Sequence, residues 1–205
     1  LVWRRLAKTQ NALPYLWGVL RPLYESGFIN HQAVEFQNQL VLPRLPKFKD
    51  EILLASGIDK LGKITINNIL LSYNRTNTVN LIALQAALIT LEGVKDATLD
   101  QTHKKTTNVS LLPMPRLPAI SDLNPTIISL VEELNSLGEE DGTIIASMYR
   151  HLAYWPNYLA LVKIALEPIA SSGELKRAID KSREQSAKKA LSLSKFLAPF
   201  PPSIS

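Results

Sequence analysis

The 205-residue chain is 46% hydrophobic and 20% charged. That is the balance of one large or two small globular domains with a sizeable core, and it excludes collagen, a disordered tail and a coiled coil. The formal charge of +5 is concentrated in residues 176–195, where Lys176, Arg177, Lys181, Arg183, Lys188, Lys189 and Lys195 face only Asp180 and Glu184. Leu175, Ile179, Ala187, Leu191 and Leu193 thread through these charges without an aromatic among them, so the segment reads as a helix with a solvated basic face, and no nucleic acid partner is expected.

No apolar run reaches the roughly 18 residues of a membrane span. The best stretch, Leu81 to Leu91, is interrupted by Gln85, so a soluble, cytoplasmic protein with no membrane partner is expected. Leu1-Val2-Trp3-Arg4-Arg5 has no charged leader before an apolar core and no cleavage site, so no signal peptide is expected and the chain reads as part of something longer. The chain has no cysteine. That removes disulfides, thiolate zinc sites, cysteine nucleophiles and dithiol redox chemistry. His31, His103 and His151 share no metal-binding spacing, so neither a metal nor a cofactor is expected.

Apolar residues recur at helical spacing almost throughout, and the nearest approach to a strand pattern is Ile64 to Ile69. The prediction is an all-α protein with helices at about 2–26, kinked or broken by Pro14 and Pro22, and at 28–41, 48–56, 63–90, 125–137, 142–171 and 174–196. Gly27, Gly57, Gly93, Gly138 and Gly173 fall where left-handed helix caps belong. Pro113, Pro115, Pro118 and Pro125 mark an extended connector. The expected division is a first helical repeat over 1–105, a Pro-rich connector over 106–124, and a second, incomplete repeat over 125–205.

The repeat is visible without gaps. At an offset of 146, residues Trp3 to Gly27 match nine of the 25 positions from Tyr149 to Gly173, where ordinary composition supplies roughly two. The shared end Pro-x-x-x-Ser-Gly, Pro22 to Gly27 and Pro168 to Gly173, keeps its register. Duplication explains this better than convergence of two amphipathic helices, and a pocket at the seam of the two repeats is the natural consequence.

Two constellations are candidates for chemistry. Tyr73, Asn77 and Asn80 fall at i, i+4 and i+7, one polar stripe on an otherwise apolar helix. They are either interhelical hydrogen-bonding groups in the core or donors in a pocket wall. The second is Ile145 to Pro156, in which Ala146 and Ser147 leave room beside Met148, Tyr149 and Trp155, either for close helix packing or for a ligand.

Trp-Arg-x-Leu-Ala with a Pro-Leu-Tyr-x-Ser-Gly end, the stretch Tyr73-Asn74-Arg75-Thr76-Asn77, and Ala146-Ser147 shortly before His151-Leu152-Ala153-Tyr154-Trp155-Pro156 occur in that order. Together they resemble the group I 2-haloacid dehalogenases over most of the chain to about residue 175. The resemblance implies an all-α fold of two repeats related to the alkylhydroperoxidase-D fold, usually dimeric. It also implies hydrolysis in which a carboxylate-activated water displaces halide beside the substrate's carboxyl group, without a covalent ester. On these motifs Asn77, Asn80, Ala146 and Ser147 become substrate-binding residues of a small-carboxylic-acid pocket.

The position of the family's water-activating Asp is occupied here by Met148, and a thioether cannot take a proton from water. No catalytic residue is therefore expected at that position, and Met148 stands only as part of the pocket wall. His151, one turn away, is the remaining titratable group in reach, although its repeat partner Arg5 suggests an outward, solvated place. Asp141 reads as a helix N-cap. Peroxide reduction by paired cysteines, the chemistry of the related alkylhydroperoxidases, is excluded by composition. Two functions follow: a hydrolase of small 2-substituted acids, or a binding or structural relative that keeps the pocket and the homodimer.

Overall fold

A computed structural model describes residues 7–8, 11–92, 114–138 and 145–197. Among these residues the structure is all-helical, with no strand. The helices are α1 (Ala12–Glu25), α2 (Phe28–Gln39), α3 (Asp50–Ala55), α4 (Lys60–Leu91), α5 (Pro125–Ser136), α6 (Ser147–Leu152), α7 (Pro156–Ser171) and α8 (Glu174–Ser194), with a 3-10 turn at Ile120–Asp122. Ile64 to Ile69 lies inside α4, and among the described residues no helix is long and apolar enough to cross a membrane. Gly93 and the expected cap at Asp141 lie outside the described residues.

Two of the expected helices have different bounds. The segment expected as one helix over 2–26 is helical from Ala12, after Asn11 adopts a left-handed φ of 62°. Pro14 sits in the first turn, where its missing N–H has no partner to lose, and Pro22 passes inside the helix without ending it. The carbonyl deprived of its donor by Pro22 is that of Gly18, which is exposed and has open space beside it, so water can take its place. The helix expected over 142–171 divides at Ala153-Tyr154-Trp155, because Pro156 starts α7 at its first position, where a missing N–H costs nothing.

The matched ends of the two internal segments adopt the same local structure. In α1 the Ser26 N–H donates to the Pro22 carbonyl at 3.0 Å and the Gly27 N–H to Tyr24 at 3.1 Å; in α7 the Ser172 N–H donates to Pro168 at 3.0 Å and the Gly173 N–H to Ala170 at 3.0 Å. Both serine hydroxyls donate back to the carbonyl three residues earlier, and each accepts from the first amide of the next helix. Gly27 and Gly173 have φ of 78° and 74°, values open to glycine without strain. Gly57 is left-handed as well, whereas Gly138 is not. Tertiary packing differs: α1 packs on α2, while α7 packs on α5 and α6.

Packing divides the chain into two compact units, each assembled from separate stretches. Of the described residues the first comprises 7–8, 11–40, 75–92 and 182–197. Its core joins Leu16, Leu20 and Leu23 of α1, Phe28, Ile29 and Phe36 of α2, the second half of α4 through Ile82, Ala83 and Ala86, and Leu193 of α8. The second comprises the described residues 41–74, 114–138 and 145–181. Its core joins Leu53, Ile58, Ile66 and Ile69 to Val131 and Leu134 of α5, Leu152 of α6 and Leu159 of α7.

The start of α4 is set by Asp59, whose carboxylate accepts the Gly62 N–H at 2.7 Å while its carbonyl accepts that of Lys63. Trp155 lies over this turn, and a Cβ on Gly62 would stand 2.9 Å from its indole nitrogen and 3.2 Å from the Asp59 carboxylate. Gly62→Val is therefore expected to cost about 1–3 kcal/mol through overpacking. A urea midpoint equal to that of the parent protein would contradict it.

Candidate functional site

Helix α6 begins at Ser147, after Ala146 in extended geometry, and the Ala146 N–H is held by the side chain of buried Asn135 at 2.9 Å. One turn of helix places Ser147, Arg150 and His151 at i, i+3 and i+4, hence on one face. Tyr73 of α4 meets that face. The Tyr73 hydroxyl lies 2.6 Å from His151 Nδ1, while His151 Nε2 lies 3.0 Å from the Pro115 carbonyl. A carbonyl only accepts, so Nε2 carries the proton and Nδ1 accepts from Tyr73. The result is a directed chain from Tyr73 through His151 to Pro115.

Residues 115–118 form an extended strap across α6. Pro115 and Pro118 have no N–H, so the strap presents acceptors in excess of donors. The helix supplies the donors: besides His151, the Tyr154 hydroxyl donates to the Arg116 carbonyl at 2.8 Å and the Arg150 guanidinium to that of Pro118. Pro118 is buried. The Arg150 Nε is buried without a hydrogen-bond partner, and no described Asp or Glu forms an ion pair with Arg150.

The expected outward, solvated place for His151 is corrected: the residue is 5% exposed. Its repeat partner Arg5 could transfer a sequence position but not the covering strap, which comes from a distant part of the chain. Burial moves the His151 pKa below the usual 6.5, the Pro115 hydrogen bond works against that shift, and the charge of Arg150 adds to it. The neutral imidazole is thus the folded form, and its contribution to stability is complete above pH 6.5 and is lost as pH falls below that value toward the folded pKa. Unfolding midpoints measured from pH 7.5 to 5 should show this loss in the parent protein and a smaller one in His151→Gln. Equal slopes would contradict the assignment.

The five expected site residues divide between the units. Ala146, Ser147 and Met148 lie in the second unit, all half-buried, and Met148 packs against its apolar core together with Tyr149 and Trp155. Asn77 and Asn80 lie in the first unit, Asn80 half-buried and Asn77 exposed. Asn77 is exposed although it stands one turn after half-buried Tyr73, because α4 passes from the second unit to the first between Asn74 and Arg75 and each half buries the face that meets its own core. Of the expected polar stripe, only Tyr73 joins the α6 network. Arg150, Tyr154 and the strap carbonyls belong to this network and were not singled out from the sequence. The signal was present in the i, i+4 pair Arg150 and Tyr154 and in a proline-rich stretch that must borrow donors.

Burial also raises the pKa of Tyr73 and of Tyr149, so both are neutral phenols at physiological pH. Among the described residues no group of three or more His, Asp or Glu is placed to hold a metal. An open groove of about 430 Å³ lies between α3 and the first turns of α4, with Leu53, Leu54, Ile58 and Ile64 in its wall and the Lys63–Asp50 ion pair at its rim. It contains none of the expected site residues. No protein-family model matches the chain, and no curated protein is similar to it.

Proposed function

We propose that the chain is a binding or structural relative of the group I 2-haloacid dehalogenases that does not hydrolyse carbon–halide bonds. The observation that carries this reading is the state of α6. Met148 is packed into an apolar cluster, and both ring nitrogens of His151 are engaged, one by Tyr73 and one by the Pro115 carbonyl. A general base needs a free lone pair within reach of the water it activates, and neither side chain offers one.

The three ordered motifs and the matching Pro-x-x-x-Ser-Gly caps support a duplicated architecture of the alkylhydroperoxidase-D kind in sequence and local structure, whereas the different packing of α1 and α7 speaks against it. A small carboxylic acid as ligand and a homodimer belong to the same proposal. Light scattering at micromolar concentration is expected to return twice the chain mass, and a monomer would remove the dimer. The test of the lost hydrolysis is chloride release from both enantiomers of 2-chloropropionate, with Met148→Asp alongside the parent protein.

A further inference from the structure

The tetrapeptide Pro-Arg-Leu-Pro occurs twice in this chain, at 43–46 and at 115–118. The second copy is the strap, whose carbonyls at 115, 116 and 118 are taken by His151, Tyr154 and Arg150. The first copy lies between α2 and α3, and no described residue makes a hydrogen bond to residues 41–48, so the equivalent carbonyls of Pro43, Arg44 and Pro46 are unpaired. Leu40 and Lys49, which bound the segment, have φ/ψ of −68°/126° and −69°/156°, in the polyproline II range. Each Leu before a Pro is confined to the same region.

Exposure and charge distinguish the first copy from the strap. Val41, Leu42 and Leu45 are 68%, 64% and 51% exposed, an unusual run of large apolar side chains on a short segment. Arg44, Lys47 and Lys49 stand among them with no acid from 40 to 49 and no ion pair. Phe48 anchors the far end by an edge contact with Tyr158 at 6.1 Å. The segment is thus pre-extended, tethered at both ends, apolar on its prolines and leucines, and cationic.

We propose that residues 41–49 are a docking ligand for a partner protein that presents an aromatic-lined, acid-rimmed groove for polyproline II segments. Aromatic grooves accept this conformation because little ordering entropy remains to be lost, and carbonyls at every turn of the segment take the groove's donors. The strap demonstrates the polar half of that recognition within the chain, where His and Tyr side chains and an Arg serve the same tetrapeptide. The acidic rim is required by Arg44, Lys47 and Lys49.

The test titrates the full chain with a purified SH3 domain whose aromatic groove is flanked by an acidic loop, followed by fluorescence anisotropy. Saturable binding is expected, weakened about ten-fold or more by Pro43→Ala with Pro46→Ala and by Arg44→Glu with Lys47→Glu, the equivalent of about 1.4 kcal/mol or more. Lys181→Glu, an exposed cation elsewhere in the chain, should leave it unchanged. Absence of binding overturns the proposal, as does binding that Lys181→Glu weakens equally, which is general attraction to positive charge. A dimer that dissolves on Pro43→Ala with Pro46→Ala assigns the segment to a second copy and overturns it too.

Discussion

Incubated with either enantiomer of 2-chloropropionate, the purified chain should release chloride no faster than buffer. A positioned general base contributes about 10²–10⁴-fold to such a reaction, and the position that resembles the family's base holds Met148, half-buried against the apolar core of its unit. His151 does not replace it while Tyr73 occupies Nδ1 at 2.6 Å and Pro115 occupies Nε2 at 3.0 Å. Met148→Asp restores an acceptor in an apolar wall, where desolvation raises a carboxylate's pKa and strengthens it as a base provided it stays ionised. This is the variant in which halide release is expected to emerge. Chloride release at enzymatic rates by the unmodified protein, lost on His151→Gln, would show that the imidazole serves as base and would sink the proposed loss of hydrolysis.

The second large effect contrasts two residues of one helix. Ile69 is fully buried in the second unit, one turn before Tyr73, and Ile69→Ala should cost about 2–5 kcal/mol from lost burial and the cavity left behind. That corresponds to a fall in unfolding temperature of roughly 4–20 °C for a protein of this size. Asn77→Leu, eight residues on, should lie within about 0.5 kcal/mol of the parent because the side chain is exposed. Paired thermal unfolding decides the matter: a loss of several kcal/mol at Asn77 would place it in the core, one of the two readings of the polar stripe. Loss of small-acid binding on Asn77→Leu without loss of stability would instead assign it to a pocket wall.

By itself the sequence determined the helical class, because apolar spacing near 3.6 residues and the scarcity of alternating β-branched runs are local properties of the chain. It determined the caps at Gly27, Gly57 and Gly173 for the same reason, since a left-handed residue after a helix is settled by the neighbouring turn. The paired ends at Pro22 to Gly27 and Pro168 to Gly173 were legible as a sequence match and recur as the same set of hydrogen bonds. The unbroken passage of α1 through Pro22 was not legible, because it depends on Gly18 being exposed.

Only the tertiary structure decided which polar residues meet. Tyr73 and His151 are 78 residues apart, and His151 and Pro115 are 36 apart, so no periodicity relates them. Helical spacing put Asn77 beside Tyr73, but burial on α4 is set by what packs against each turn. Asn77 fell on the outer side while Tyr73 reached α6. The strap decided the state of His151: a proline-rich stretch without enough donors of its own had to borrow them, and the face of α6 that supplied them was thereby covered. Hydrogen-bond demand in one segment and supply in another are both written locally, but their meeting depends on the fold.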